Sequence, residues 1–194
     1  EIHHRVKNNL SVLSGLFTLQ AMNIDDEGMK QIFMESQMRI KSIASIHEKL
    51  YQNELFSSIE VKEYLQQMIQ DIKSTNAKPG NDIQIEVMGD EVVLNMNQAV
   101  PFGILANEMI INAYKYAFED LETGFIRLSM VKNEGEFIFT VEDNGIGLPK
   151  DFDAMSQKSL GMTLIHSLTQ QLDGKLEIFT GEGTSFRLRF NPEQ

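Results

Sequence analysis

An aspartate followed by two glycines at two-residue spacing is the part of this chain best suited to chemistry: Asp143, Gly145 and Gly147 in V-E-D-N-G-I-G-L-P. The residues before it, Glu136 to Val141 (E-F-I-F-T-V), are aromatic and β-branched and read as a strand, which delivers a carboxylate into a turn. Gly145 and Gly147 can take φ > 0 and place no Cβ between the backbone and whatever lies against it. Pro149 then ends regular structure. A carboxylate beside open backbone suits a flat heterocycle, with Asp143 accepting a hydrogen bond from an exocyclic amine such as that of adenine. Taken alone, the same letters also describe a polar hairpin turn.

A second set of residues lies upstream on a predicted helix, for which Asn97 is a candidate cap and Val100, Ile104, Leu105, Met109, Ile110 and Ala113 supply the apolar positions. Glu108 and Asn112 stand four residues apart and Lys115 three further on, so an acid, a neutral oxygen ligand and a cation share one face. A triphosphate with Mg²⁺ needs such a set, because Mg²⁺ keeps waters and takes only one or two protein oxygens besides phosphate. Downstream, S-L-G-M-T-L-I begins a helix at about Gly161 that runs to Leu172, and a helix opening on glycine offers free N–H groups to phosphate. The stretch from Leu148 to Ser159, polar and carrying Lys150 and Lys158, reads as a mobile lid.

These sets need elements to hold them. Ile83, Ile85 and Val87 alternate as a strand, Val92 to Leu94 form a short second one, and strands Phe125–Lys132 and Glu136–Glu142 make a hairpin across Asn133-Glu134-Gly135. Gly174 to Phe179 and Thr184 to Phe190 close the series around G-E-G-T, and a helix from Ile59 that stops at Lys78-Pro79-Gly80-Asn81 precedes it. Before all of these come two amphipathic helices. Ile2, Val6, Leu10, Leu13 and Phe17 draw one stripe on the first; Val12, Leu16 and Leu19 add a second edge. His4 falls in the polar wedge with Lys7, Asn8, Ser11, Gly15 and Thr18, while His3 flanks the stripe. After a polar break, Asn23 to Gly28, the second helix carries Met29, Ile32, Phe33, Ile40, Ile43, Ala44, His47 and Leu50. A lone hairpin cannot bury two edges, so a second copy is expected to complete a four-helix bundle.

Charge divides the chain where the pattern does. Residues 1–57 hold 6 Lys+Arg and 7 Asp+Glu, whereas residues 58–194 hold 11 and 21, which predicts a helical domain over 1–57 and an α/β domain over 58–194. The net charge of −11 argues against nucleic acid. The 194 residues contain no cysteine, which excludes disulfides and thiolate metal sites and fits a reducing, cytoplasmic setting. No run approaches the roughly 20 apolar residues of a membrane span. The chain opens inside a helix without Met and is expected to lack an upstream part, including any sensor domain.

The motifs A-N-E-M-I-I-N-A-Y-K-Y-A-F, E-D-N-G-I-G-L-P, S-L-G-M-T-L-I and G-E-G-T-S-F-R-L-R-F resemble, in order and at normal spacing, the N, G1, G2 and closing boxes of a histidine-kinase ATP-binding domain. The opening E-I-H-H-R-V-K-N-N-L resembles the H-R-x-x-N-N phosphoacceptor box, linked to blue-light and other soluble sensors. The related HWE group has a histidine in its N box and a tryptophan after the lid; this chain has Glu108 and no tryptophan, which places it beside that group. The resemblance implies an α+β protein: the helical hairpin, then a sandwich of the Bergerat or GHKL ATPase type with a mixed, mostly antiparallel sheet. It further implies that Asp143 binds the adenine amine with Thr184 in support through water, and that Gly145 and Gly147 let the purine approach. Asn112 would ligate Mg²⁺, Lys115 meet phosphate, Tyr116 line the pocket and Gly161 form the lid hinge.

The implied function is that of a sensor histidine kinase core in a two-component system. His4 would take the γ-phosphoryl group of Mg·ATP and pass it to an aspartate of a response-regulator receiver domain, with the hairpin making a homodimer. Many histidine kinases carry an acid directly after the phosphoacceptor; here that position is Arg5, and either Glu108 or Glu1 is left to draw off the ring proton. Asn8, one turn on, matches a position that orients water for the reverse reaction in some relatives. Two alternatives stand beside this: another ATPase of the same superfamily, which would share the ATP boxes but not H-H-R-V-K-N-N-L, and a non-catalytic nucleotide-binding scaffold, against which the intact Glu108, Asn112 and Asp143 speak.

Overall fold

The first two elements are the helices α1 (Ile2–Met22) and α2 (Glu27–Gln52). The computed structural model describes residues 2–52, 58–76, 82–119, 121–148 and 160–193. The expected lid beyond Leu148, the stop at Lys78 to Asn81, Glu1 and the side chains of His3 and His4 lie outside the described residues. The chain divides into two compact units, Glu1–Phe56 and Ser57–Gln194.

Asp26 starts α2, its Oδ1 accepting from the Met29 N–H at 2.7 Å as an N-cap does. The seam between α1 and α2 differs from the stripe read by periodicity. Ser14 and Ala21 are buried in it, between the half-buried Val6, Leu10 and Phe17. Phe17 meets Phe33 of α2 at 5.6 Å between ring centroids, and Gln37 Nε2 donates to Thr18 Oγ1 at 2.9 Å. Small residues let the two backbones close on this line, which turns Leu13 out to the exposed side. There it joins Val12, Leu16, Leu19 and Met22, and Met29 and Ile32 of α2 are exposed as well.

The second unit opens with β1 (Ser58–Glu60) and α3 (Val61–Asn76). Ile59 therefore belongs to a strand and not to the helix expected from it. Glu60 caps α3 instead, its carboxylate accepting from Lys62 N–H at 3.2 Å and Glu63 N–H at 3.0 Å. Next come β2 (Asp82–Gly89), β3 (Val93–Asn95) and α4 (Met96–Tyr116). Asn95, not Asn97, caps α4: its Oδ1 accepts from Gln98 N–H at 3.0 Å. The remaining elements are β4 (Thr123–Asn133), β5 (Glu136–Asp143), α5 (Leu160–Gln171), β6 (Lys175–Gly181) and β7 (Gly183–Phe190).

β1 and β3 pair as a small antiparallel sheet, and the main sheet runs β2-β4-β5-β7-β6. Its β2–β4 pair is parallel and its other pairs antiparallel, so it is mixed and mostly antiparallel, as the resemblance implies. The residues Phe137, Phe139 and Val141 alternate inward along β5. Phe102 of α4 packs edge-on to Phe139 at 5.0 Å, and Phe137 to Phe190 of β7 at 5.3 Å, which fixes α4 across the strand that ends in Asp143.

Among the described residues two buried side-chain atoms lack a hydrogen-bond partner, Arg189 Nε and the Tyr64 hydroxyl, and the second lies in the core. The Tyr64 hydroxyl is buried against Gly103 without a hydrogen-bond partner among the described residues. Burial, with the Asp71 charge adding, pushes its phenol above the usual range. An unpaired buried hydroxyl costs about 1–3 kcal/mol. Tyr64→Phe is therefore expected to raise stability by ~1 kcal/mol, read as a thermal midpoint a few degrees higher; a lower midpoint would show that the hydroxyl is paired.

Candidate functional site

Asp143 is the last residue of β5 and shares the inward parity of Val141, so its carboxylate is buried at 5% exposure. Two backbone donors reach it from different segments: Gly145 N–H at 3.0 Å and Thr184 N–H at 3.2 Å. Both bonds fall on Oδ1, and Oδ2 accepts none from the described residues. Burial holds this carboxyl above the usual carboxylate range; the two N–H bonds pull the other way, and the neighbouring Glu142 adds to the rise. Glu142 is itself 3.7 Å from Arg127 Nη1. The site thus presents one unspent acceptor on a buried side chain.

The loop after Asp143 is fixed on three sides. Asn144 Oδ1 accepts from Phe125 N–H at 2.8 Å, joining it to the start of β4. Ile146 N–H donates to the Ala117 carbonyl at 2.9 Å, joining it to the end of α4. Leu148 N–H donates to Thr180 Oγ1 at 3.2 Å, joining it to β6. The two glycines differ in what they do. Gly147 has φ +72, as expected, and an added Cβ would stand 3.0 Å from the Gly181 carbonyl. Gly145 does not adopt a positive φ; it is glycine because a Cβ there would overlap the Ala117 carbonyl. Its smallness lets the loop seat on α4.

Through Ala117 the loop meets the end of the helix that carries the other predicted residues. Asn112 is five residues from Ala117, about 7.5 Å along the axis, and Lys115 lies in the last turn; both are half-buried. Glu108 is buried and partnered, and Tyr116 is exposed yet also partnered. Gly161 is buried at the second position of α5, a helix that packs on α4. Thr184 is buried on β7, and the contact it makes with Asp143 is through its backbone N–H. His4 lies in the other unit, within the unbroken helix α1.

Gly183, which local pattern leaves as part of the G-E-G-T between two strands, is a further residue of the site. It has φ +111, and a Cβ on it would overlap the Asp143 carbonyl. The signal was present in G-E-G-T, which repeats the two-residue glycine spacing of G-I-G.

Comparison with known proteins finds counterparts for both units. Residues 1–76 match a family described as histidine kinase, a span that runs past the hairpin through α3. Residues 97–194 match the family described as histidine kinase-, DNA gyrase B- and HSP90-like ATPase. The chain is 31% identical over 180 residues to the sensor histidine kinase PdtaS of Mycobacterium tuberculosis, an alignment covering 91% of this chain and 35% of that protein. It is 26% identical over 186 residues to blue-light-activated histidine kinase 2 of Erythrobacter litoralis, covering 93% of this chain and 53% of that protein. The chain thus spans about a third to a half of the curated relatives it matches. Among solved structures, the histidine kinase domain of a blue-light-activated kinase of Erythrobacter litoralis has a TM-score of 0.72 at 21% identity, covering 95% of this chain and 94% of that one. That likeness is one of fold.

Proposed function

The chain belongs to the histidine kinase-, DNA gyrase B- and HSP90-like ATPase family, and we propose that within it the chain is the catalytic core of a sensor histidine kinase. The observation that carries this reading is Asp143, a buried carboxylate with one oxygen tied by two backbone N–H groups and the other unspent. Oδ2 accepts the exocyclic amine of adenine. The Gly145–Gly147 loop, with its exposed Ile146, offers backbone and apolar surface to the purine. Thr184 supports Asp143, and Tyr116 borders the same end of α4.

The phosphates extend toward Asn112 and Lys115. Lys115 meets the anionic oxygens, and Gly161, in the first turn of α5, lets phosphate approach the free N–H groups of that helix end. Asn112, half-buried with an amide oxygen, fits one protein ligand of Mg²⁺, which in this family of reactions neutralises phosphate charge. Glu108, buried and partnered on the same helix, is suited to hold that geometry or to take a proton, and Glu1 is the alternative base. Neutral imidazole, with an ordinary pKa of about 6.5, is a competent nucleophile at cellular pH. His4 attacks the γ-phosphorus in line: the N–P bond forms, the bond to the β-phosphate oxygen breaks, and ADP leaves. The phosphoryl group then passes to an aspartate of a response regulator.

The exposed Val12, Leu13, Leu16 and Leu19 on α1, with Met29 and Ile32 on α2, suit a homodimer closed through the hairpin. No described helix is long and apolar enough to cross a membrane, and a cytoplasmic position is part of the proposal.

The test is incubation with γ-labelled ATP and Mg²⁺, which should leave an acid-labile, base-stable phosphoryl group on the protein. Asn112→Asp adds a charge at the metal and should slow that reaction about tenfold or more, ~1.4 kcal/mol in the barrier, while adenine binding changes little. Equal labelling of the parent with and without Mg²⁺ would remove the phosphate assignment.

A further inference from the structure

Asp143 is held by two segments distant in sequence. Its own loop supplies Gly145 N–H, and the β6–β7 turn supplies Thr184 N–H. That turn is narrow: the strands pair Thr180 with Thr184 and Gly181 with Gly183. Gly183 sits at its rim with φ +111, a conformation that residues with a side chain rarely adopt. A Cβ on Gly183 would overlap the Asp143 carbonyl oxygen and stand 3.1 Å from Asn144 Cα. The turn grips the same loop again at Thr180 Oγ1, which accepts from Leu148 N–H at 3.2 Å. The bare backbone at 183 is what allows this contact.

We infer that Gly183 is a positioning residue for base recognition: it lets the β6–β7 turn lock Asp143 with Oδ1 spent on backbone, so that Oδ2 selects a 6-aminopurine over a 6-oxopurine. The inference rests on the reading of Asp143 as the adenine acceptor. A 6-oxopurine places a carbonyl oxygen where adenine has its amine and offers its donor at N1 instead. A locked carboxylate cannot shift to meet that donor, whereas a loosened one can. Loss of the Thr184 bond would also raise the proton affinity of Asp143, whose charged neighbour is Glu142, and a protonated acid can donate to the 6-oxo group. Gly183 thus sets selectivity without touching the nucleotide.

The test is calorimetric titration of the whole chain with ATP and with inosine triphosphate across the acid-to-neutral range, for the parent, Gly183→Ala and Asp143→Asn. Gly183→Ala, shown to be folded by circular dichroism, should lose roughly tenfold to hundredfold in ATP affinity, the worth of a hydrogen bond to a charged group. Inosine triphosphate should lose much less, so the ratio of the two affinities falls, and the pH at which ATP binding is half lost moves up. Equal loss of both nucleotides, or an unchanged ratio and pH midpoint, would reduce Gly183 to a packing residue and overturn the inference. Should Gly183→Ala not fold, a backbone ester replacing the Gly183–Thr184 amide removes the N–H without adding a Cβ, and an unchanged ratio there overturns it equally. Asp143→Asn separates the two layers. If it keeps the parent's ratio, the adenine reading itself fails; if it changes the ratio and Gly183→Ala does not, only the positioning role fails.

Discussion

Asp143→Asn is expected to lose ATP binding by roughly a hundredfold or more while the ligand-free protein becomes no less stable at neutral pH. The direction follows from where the two backbone donors fall. Gly145 and Thr184 both donate to Oδ1, so the amide settles with its oxygen there and its NH₂ in place of Oδ2. A donor then faces the donor amine of adenine, and a charge-assisted bond worth about 1.5–3 kcal/mol is replaced by a clash of like groups. The stability side comes from the raised carboxyl of Asp143, which burial holds above the usual range. The folded state binds that proton more tightly than the unfolded chain, so the stabilising contribution is full below the ordinary carboxylate pKa of about 3.9 and declines as pH rises through the raised value. Asparagine carries no such charge, so its advantage should appear at neutral pH and vanish in acid. The parent's ATP affinity, which needs the ionised acceptor, should fall as pH drops through the same raised value. Calorimetry and thermal unfolding read all three; an asparagine variant that binds ATP like the parent would remove the adenine assignment.

His4→Gln is expected to abolish phosphoryl acceptance, at least about a thousandfold, with ATP affinity unchanged, because it removes the proposed nucleophile while the proposed nucleotide site, around Asp143, lies in the other compact unit. His3→Gln should still be phosphorylated. The separation rests on helical phase: α1 runs without a break through both positions, and a step of about 100° around the axis gives the two positions different places on the helix surface. Loss of labelling in both variants alike would point to damage to the helix end and not to chemistry at one ring.

Local pattern made some parts of this protein legible and left others hidden. The strand ending in Asp143 was readable because its period of two survives at every inward position, Phe137, Phe139 and Val141. The face of α4 with Glu108, Asn112 and Lys115 was readable because its spacing is intrahelical. β1 was not, since three residues carry little pattern and its partner, β3, is remote in sequence. Periodicity that counts only large apolar residues also misplaced the α1–α2 seam, which runs through Ser14 and Ala21. Gly145 invited a conformational explanation, but its cause is contact with Ala117, and Gly183 answers to Asp143 in the same way. Contacts between segments distant in sequence leave no local trace beyond the glycine itself.

The central step of the proposed function is one transfer, from ATP to a particular ring. Mass-spectrometric mapping of the protein after incubation with Mg·ATP, kept in neutral or basic solution to preserve the N–P bond, reads it directly. A single phosphohistidine at His4 is the predicted result. Phosphate on His3, His47 or His166, or a protein that binds ATP and carries no phosphohistidine at all, would contradict it.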